Sequence, residues 1–149
     1  MKKFNFPLDT VLNYKDQVLE NLKTEHAQIL ASVAQQEKRI EELMEKSQSA
    51  AVRYREDTLC GVTVNIMREY ERYITFIQQR IVTEQGILLK LKKKEEQKRI
   101  EVIEAKKEKA SIDKLKEKKM DQYNKDVLKS EELFIEEFVS NTMSVRSSR

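Results

Sequence analysis

The residues that could carry out chemistry are few in this chain, and they are poorly placed for it. His26 is the only histidine and Cys60 is the only cysteine, and the two lie far apart in the sequence. A nucleophilic dyad needs a base within hydrogen-bond reach of the nucleophile, and no histidine lies near Cys60. The chain also has no phosphate-binding glycine loop, no pair of cysteines spaced for a metal and no glycine-flanked serine. The sequence therefore argues against an enzyme and predicts no catalytic residue, cofactor or metal ion.

Adjacent carboxylates are common, as at Glu41 and Glu42 or at Glu136 and Glu137. Paired carboxylates can serve as general acid and base when their environments differ. On a solvated helix, however, such residues usually form ion pairs with lysines three or four residues away. We therefore expect these glutamates to form solvent-exposed faces.

The elements that position all of these residues follow from the apolar spacing. Apolar residues recur at alternating intervals of four and three from Leu8 to Tyr54, and ten of the fourteen positions are apolar. A second run of the same spacing extends from Met67 to Ile112. Such spacing is typical of coiled-coil strands. The first run is Leu8, Leu12, Lys15, Leu19, Leu22, His26, Ile29, Val33, Gln36, Ile40, Leu43, Ser47, Ala50 and Tyr54, and the second is Met67, Tyr70, Ile74, Ile77, Ile81, Glu84, Leu88, Leu91, Glu95, Lys98, Val102, Ala105, Lys109 and Ile112.

Between the two runs lies the only credible helix breaker, Gly61, which tolerates the left-handed conformation that ends a helix and lets the chain reverse. The fold class predicted is all-α, a long two-helix antiparallel coiled-coil hairpin. A reversal near Cys60 predicts seam partners whose residue numbers sum to about 120. Helix two is therefore expected to extend past the start of helix one. His26 falls on the seam, where a polar residue commonly fixes the register.

Composition agrees with this fold class. The chain has 149 residues, of which 39% are hydrophobic and 37% are charged, with two glycines, one proline and no tryptophan. A large globular core and a sheet full of turns are both excluded by these numbers. The single cysteine forms no internal disulfide, and no apolar run approaches the ~18 residues of a membrane span. A cytoplasmic protein without a cleavable signal is the expectation.

The capping residues set the expected boundaries. Pro7 suits the first turn of a helix and Thr63 suits a cap, so we expect a single hairpin over residues 1–139. Helix one is placed at about 7–57, the turn at about 58–62 and helix two at about 63–139, with a disordered tail over 140–149. Gly86 marks either a bend or a tolerated weak point. The seam is expected to lose phase after Ile112, where a different apolar set indicates a stutter or a change of partner: Leu115, Met120, Tyr123, Val127, Phe134 and Phe138. The overhang of helix two is expected to need something to pack against.

Positive charge is concentrated on helix two. Residues 90–119 contain thirteen Lys or Arg against seven Asp or Glu, within a chain whose formal net charge is +3. The stretch is interpreted as a solvated face or as a docking surface for a protein partner. A nucleic-acid interface is less favoured, because lysines outnumber arginines and acidic residues interrupt the stretch every turn or two.

Three segments together resemble the flagellar FliJ family over nearly the whole chain. The first is Phe4-x-Phe6-x-Leu8-x-x-Val11-Leu12, the second is Met67-x-x-Tyr70-x-x-Tyr73-Ile74-x-x-Ile77, and the third runs from Lys114-Leu115-Lys116-x-Lys118 to Tyr123. The order and placement of the aromatic residues carry the resemblance, since apolar spacing alone is shared by many coiled coils.

The resemblance implies a hairpin similar to the central stalk of rotary ATPases, in a cytoplasmic component of the flagellar type III export apparatus that serves motility and chemotaxis. It implies three partners: the export ATPase hexamer, whose ring assembly the protein promotes, the cytoplasmic domain of the membrane export gate, and export chaperones. By the same resemblance, an exposed or half-exposed surface for the gate comprises Leu43, Tyr54, Tyr73 and Ile77. The implied ATPase ring surface comprises Phe4, Phe6, Leu8, Leu12, Tyr123 and Phe134.

Other functional classes share this pattern. A stalk protein of a virulence type III system or a stalk subunit of a rotary ATPase would have the same hairpin, and a homodimeric coiled-coil scaffold would pair the same helices between chains. A hairpin should remain monomeric where such a scaffold dimerises, which sedimentation distinguishes. A basic helical nucleic-acid binder should lose its ligand as the salt concentration rises.

Overall fold

A computed structural model describes residues 2–148, and these residues form two α-helices and no strand. Helix α1 is Asp9–Cys60 and helix α2 is Val64–Ser147. The two helices pack against each other along the predicted seam, which confirms the all-α helical hairpin. The chain divides into two compact units, a terminal unit of Met1–Leu19 with Glu104–Arg149 and a central unit of Glu20–Ile103.

The reversal occurs where the sequence predicts it. Gly61 has a φ of 89°, and its N–H donates to the Thr58 carbonyl at 3.3 Å. This left-handed conformation is open to glycine at little cost. Thr63 Oγ1 accepts a hydrogen bond from the Ile66 N–H at 3.4 Å, so the hydroxyl satisfies a free donor at the start of α2. Residues 58–60 remain in α1, and the predicted turn at 58–62 is correspondingly displaced toward residue 63.

The seam positions are covered as the spacing predicts. Of the residues in the two predicted runs, only Leu8 is exposed, and all the others are buried or half-buried. The most deeply buried apolar side chains of the central unit are Ile40, Ala50, Ile77 and Val102. The periodicity alone therefore identified the faces on which the two helices meet.

Polar seam residues meet each other across the central unit. Gln36 Nε2 donates to the backbone carbonyl of Glu84 at 3.0 Å and also to its carboxylate Oε2, and both residues are buried. His26 Nε2 lies 2.9 Å from Glu95 Oε1. Both pairs agree with a reversal near Cys60 to within about one residue.

In the terminal unit the four-and-three spacing extends beyond Ile112 to Tyr123, although Lys119 on that spacing is exposed. The predicted change of phase comes later, where the half-buried Val127 follows Tyr123 by a second successive interval of four. Lys116 and Tyr123 continue the four-and-three spacing and are half-buried, whereas Leu115 and Met120 are exposed. Lys116 can occupy a seam position because its methylene stem packs while its ammonium reaches the Asp9 carboxylate at 2.9 Å. The spacing persists there although apolar residues no longer mark it.

Helix α2 extends to Ser147, whereas the sequence placed its end near residue 139 and a disordered tail after it. The segment after residue 139 contains no glycine or proline to stop a helix, and Thr142 Oγ1 donates to the Phe138 carbonyl at 2.8 Å. Every residue from 128 to 148 is exposed. Arg149, the last residue of the predicted tail, lies outside the described residues.

Gly86 lies inside α2 without a positive φ. A Cβ added at this position would meet no atom within 4 Å. Among residues 2–148, no helix is long and apolar enough to cross a membrane.

Candidate partner-binding surfaces

The central unit carries a groove lined by tyrosine, which we call the tyrosine groove. Tyr73 is 47% exposed and lies at this groove, beside the half-buried Tyr70. The groove has a volume of about 460 Å³ and carries charged groups of both signs. Its lining comprises Glu42, Glu45, Lys46, Ser49, Ala50, Arg53, Tyr70 and Tyr73. An exposed aromatic ring among charged groups is typical of surfaces that anchor a protein partner.

Two tyrosines support this groove from the seam. The rings of Tyr54 and Tyr70 lie with centroids 5.6 Å apart at an interplanar angle of 61°, an edge-to-face contact. Tyr70 Oη donates to Asp57 Oδ2, and this hydrogen bond, aided by burial and by the aspartate charge, raises the pKa of the Tyr70 phenol. Burial also raises the pKa of Tyr54, whose hydroxyl donates to Glu71 Oε1 at 3.3 Å. Both phenols are held in orientation by carboxylates.

The four residues expected at the gate surface differ in exposure. Tyr73 is exposed, and Tyr54 and Leu43 are half-buried on the seam. The expected exposure of Ile77 is wrong, because its side chain is only 3% exposed. Ile77 occupies a seam position, so the facing helix covers it.

The residues expected at the ATPase ring surface belong to the terminal unit, where one is buried, three are half-buried and two are exposed. Phe6 is buried at 3% exposure, so it packs in the core and offers no contact surface. Phe4, Leu12 and Tyr123 are half-buried, and Leu8 is exposed. Phe134 is 70% exposed on the uncovered end of α2.

The chain start is fixed to α2 by an aromatic contact. The rings of Phe4 and Tyr123 lie 5.4 Å apart in a tilted arrangement, and Tyr123 Oη donates to the Lys2 carbonyl at 2.6 Å. Beyond Val127 every described residue of α2 is exposed, including Phe134 and Phe138. The sequence placed Tyr123 among the overhang residues that need something to pack against, whereas the structure pairs it with the chain start. That the later aromatic residues need a partner stays a prediction.

Some exposed apolar residues lie outside the predicted sets. Phe76 is exposed beside the tyrosine groove residues of α2, and Leu59 and Val64 are exposed on either side of Gly61. A signal was available for the last two, because residues 58–67 carry no charge in a chain that is 37% charged. Phe76 lies three residues after Tyr73. The sequence indicates only that Phe76 lies beside the seam.

The basic stretch of residues 90–119 is partly neutralised within the molecule. Lys98 Nζ lies 2.7 Å from Glu25 Oε2 and 3.0 Å from Glu101 Oε2, and these hydrogen bonds raise the pKa of Lys98. The hydrogen bond from Arg99 lowers the pKa of Glu96. Exposed ion pairs of this kind contribute little stability, so they orient the side chains more than they hold the helices.

No cluster of three or more potential metal ligands occurs within residues 2–148. The exposed cysteine and the histidine of the sequence do not meet: His26 contacts Glu95, and Cys60 lies next to the turn. The fold defines the class of antiparallel coiled-coil hairpins.

Comparison with known proteins places the chain within that class. The family model described as flagellar FliJ protein matches residues 4–148, nearly the whole chain. The chain belongs to the FliJ family and is thus a component of the flagellar export apparatus. No curated protein and no solved structure matches it.

Proposed function

We propose that this chain is a non-enzymatic stalk of the flagellar type III export apparatus, which promotes assembly of the export ATPase ring and couples the ring to the membrane export gate and to export chaperones. The observation that carries the proposal is the family match over residues 4–148. It favours the flagellar system over a virulence system. The protein would act in the cytoplasm, held at the inner face of the cell membrane through the apparatus.

The terminal unit is the proposed ATPase contact. Its ring-facing surface would comprise Leu8, Leu12 and Phe134, with Phe4 and Tyr123 fixing the chain start against α2. Support comes from the uncovered end of α2, where Phe134 exposes a large apolar ring that gains by burial in a protein partner. Phe6 would hold this surface from within the core.

The central unit is the proposed gate contact. Tyr73 would insert into the cytoplasmic domain of the gate, flanked by the half-buried Tyr54 and Leu43 and supported by Ile77 beneath. Its support is the tyrosine groove, in which Tyr70 is held by Asp57. The fixed Tyr70 is the preorganised part of this surface, and a group already held in place loses little entropy on binding, which favours affinity.

Two variants separate the two contacts. Phe134→Ser should lower the stimulation of ATP hydrolysis and the yield of hexameric rings seen by electron microscopy, while binding to the purified gate domain stays unchanged. Tyr73→Ala should weaken gate binding about tenfold or more and leave ATP hydrolysis unchanged. Each variant is the matched control for the other, because both remove an exposed aromatic side chain from α2.

The proposal fails if the wild-type protein changes neither ATP hydrolysis nor ring yield by the cognate export ATPase. It also fails in its division of surfaces if both variants lose the same activity. Circular dichroism of each variant must first show the wild-type helix content and melting curve.

A further inference from the structure

The end of α2 carries a stripe of which every residue beyond Val127 is exposed. Phe134 and Phe138 are 70% and 64% exposed, and Val145 is exposed as well. The stripe begins at the half-buried Val127, four residues beyond Tyr123, so it continues the face of α2 that pairs with the chain start. Six positions spaced by four and three form it: Val127, Glu131, Phe134, Phe138, Asn141 and Val145.

The stripe is nearly symmetric about residue 136. Phe134 and Phe138 lie equally far from the centre, and so do Val127 and Val145. Two antiparallel copies of this segment would therefore place valine against valine and phenylalanine against phenylalanine. A two-fold interface requires such a self-complementary surface, because each patch must contact its own copy.

The two polar positions of the stripe are complementary under the same pairing. Glu131 lies five residues before the centre and Asn141 lies five after it, so the asparagine amide of one copy meets the glutamate carboxylate of the other. The chain already uses this arrangement in its own seam, where the buried Gln36 amide donates to the Glu84 carboxylate. Such a pairing satisfies both groups and fixes a single register.

The flanking positions supply further apolar contact and one repulsion. Ile135 and Leu128 are exposed beside the stripe, and Ile135 would face its own counterpart close to the two-fold axis. Glu137 would also approach its counterpart, and two like charges oppose association. Rising salt should screen this repulsion and strengthen the pairing modestly.

We propose that residues 127–145 of α2 form an antiparallel two-helix dimer with the same segment of a second copy. The proposal goes beyond the stalk function, does not depend on it, and departs from the monomeric state that the sequence predicts for a hairpin. Dimer formation and binding to the ATPase ring would exclude each other, because a dimer that covers Phe134 makes it unavailable to the ring. In the free protein the ring-facing surface would be buried in the dimer, and it would become accessible when the dimer dissociates to bind the ATPase ring.

Sedimentation of the full chain over a series of rising concentrations tests the proposal, with no ATPase present. The wild-type protein should pass from monomer to dimer, and the Phe134→Ser/Phe138→Ser variant should stay monomeric at every concentration. Phe76→Ser is the matched control, because it removes an exposed phenylalanine from α2 outside the stripe. This control should dimerise as the wild type does.

Cysteine crosslinking then tests the orientation in a Cys60→Ser background. Ile135→Cys should form a disulfide between copies, because antiparallel pairing about residue 136 brings this position to its own counterpart. Met143→Cys is equally open to solvent but lies seven residues from the centre, so its two copies would be roughly 20 Å apart along the helix and should not crosslink.

Monomeric wild-type protein up to its solubility limit overturns the proposal and leaves the stripe to a different partner. A dimer that survives the Phe134→Ser/Phe138→Ser change overturns it as well, since the contact would then lie elsewhere. Crosslinking at Met143→Cys with none at Ile135→Cys would contradict the antiparallel register.

Discussion

Helix α2 consists of a covered part and an uncovered part, and hydrophobicity does not distinguish them. The covered seam includes Glu84, which is buried, and Lys98 and Lys109, which are half-buried. The uncovered end after Val127 carries two phenylalanines that are mostly exposed. Coverage is decided by whether α1 or the chain start lies opposite. A polar residue is thus buried where a partner helix satisfies it, and an aromatic residue stays in water where none is available.

The largest effect should come from placing a charge in the covered seam. Ile40 is buried in the central unit, so Ile40→Asp would leave a carboxylate between the helices without a partner. We expect a loss of about 3 to 5 kcal/mol in the free energy of unfolding. Urea denaturation followed by circular dichroism measures it.

The matched control is Val82→Asp in the same unit, where the side chain is exposed. It should change the unfolding free energy by less than about 0.5 kcal/mol. Equal effects of the two substitutions would contradict the assignment of the seam.

A smaller effect is expected from the buried pair of Gln36 and Glu84. Gln36→Leu removes the amide that donates to the Glu84 carboxylate, which then keeps Arg80 Nε at 3.4 Å and Arg39 Nη1 at 4.0 Å. Leaving a buried acceptor short of its donor costs about 1 to 3 kcal/mol. Thermal and urea unfolding of the variant should show that loss.

The double variant Gln36→Leu/Glu84→Leu tells the cause. Replacing both polar partners with apolar groups of similar size should restore most of the stability or exceed that of the wild type. If the double variant is less stable than Gln36→Leu alone, the Gln36–Glu84 pair contributes more stability than its burial costs. The interpretation of polar seam residues as markers of register would then need revision.

Gly86 offers a gain of stability in the covered part. A mid-helix glycine costs about 1 kcal/mol against alanine, and a Cβ there would meet no atom within 4 Å. Gly86→Ala should therefore raise the unfolding free energy by up to about 1 kcal/mol. Gly61→Ala is the informative counterpart, because its φ of 89° should turn the same substitution into a loss of about 1 to 2 kcal/mol.

The sequence predicted the helices, the reversal and the seam because each rests on local chemistry. Alternating spacing identifies a helix face, and Gly61 is the one residue at the break that favours a left-handed conformation. Seam continuation through Lys116 was missed, because a lysine interrupts an apolar pattern even where its stem packs. The contact surfaces were more difficult to predict from the sequence. The family resemblance placed Ile77 on a surface, although the four-and-three spacing had already assigned it to the seam.

The smallest effect tests the uncovered part directly. Phe134→Ser at low protein concentration should change the unfolding free energy by less than about 0.5 kcal/mol, since a ring that is 70% exposed loses little burial when it is removed. Ile77→Ala removes a smaller apolar side chain, but from the buried seam, and should lower the free energy of unfolding by about 2 to 5 kcal/mol. Side-chain size alone would therefore predict the opposite order of the two losses. Thermal melts of both variants at matched concentration measure the difference. A large loss from Phe134→Ser under these conditions would mean that the end of α2 packs within the monomer, and the distinction between the covered and uncovered parts would be wrong.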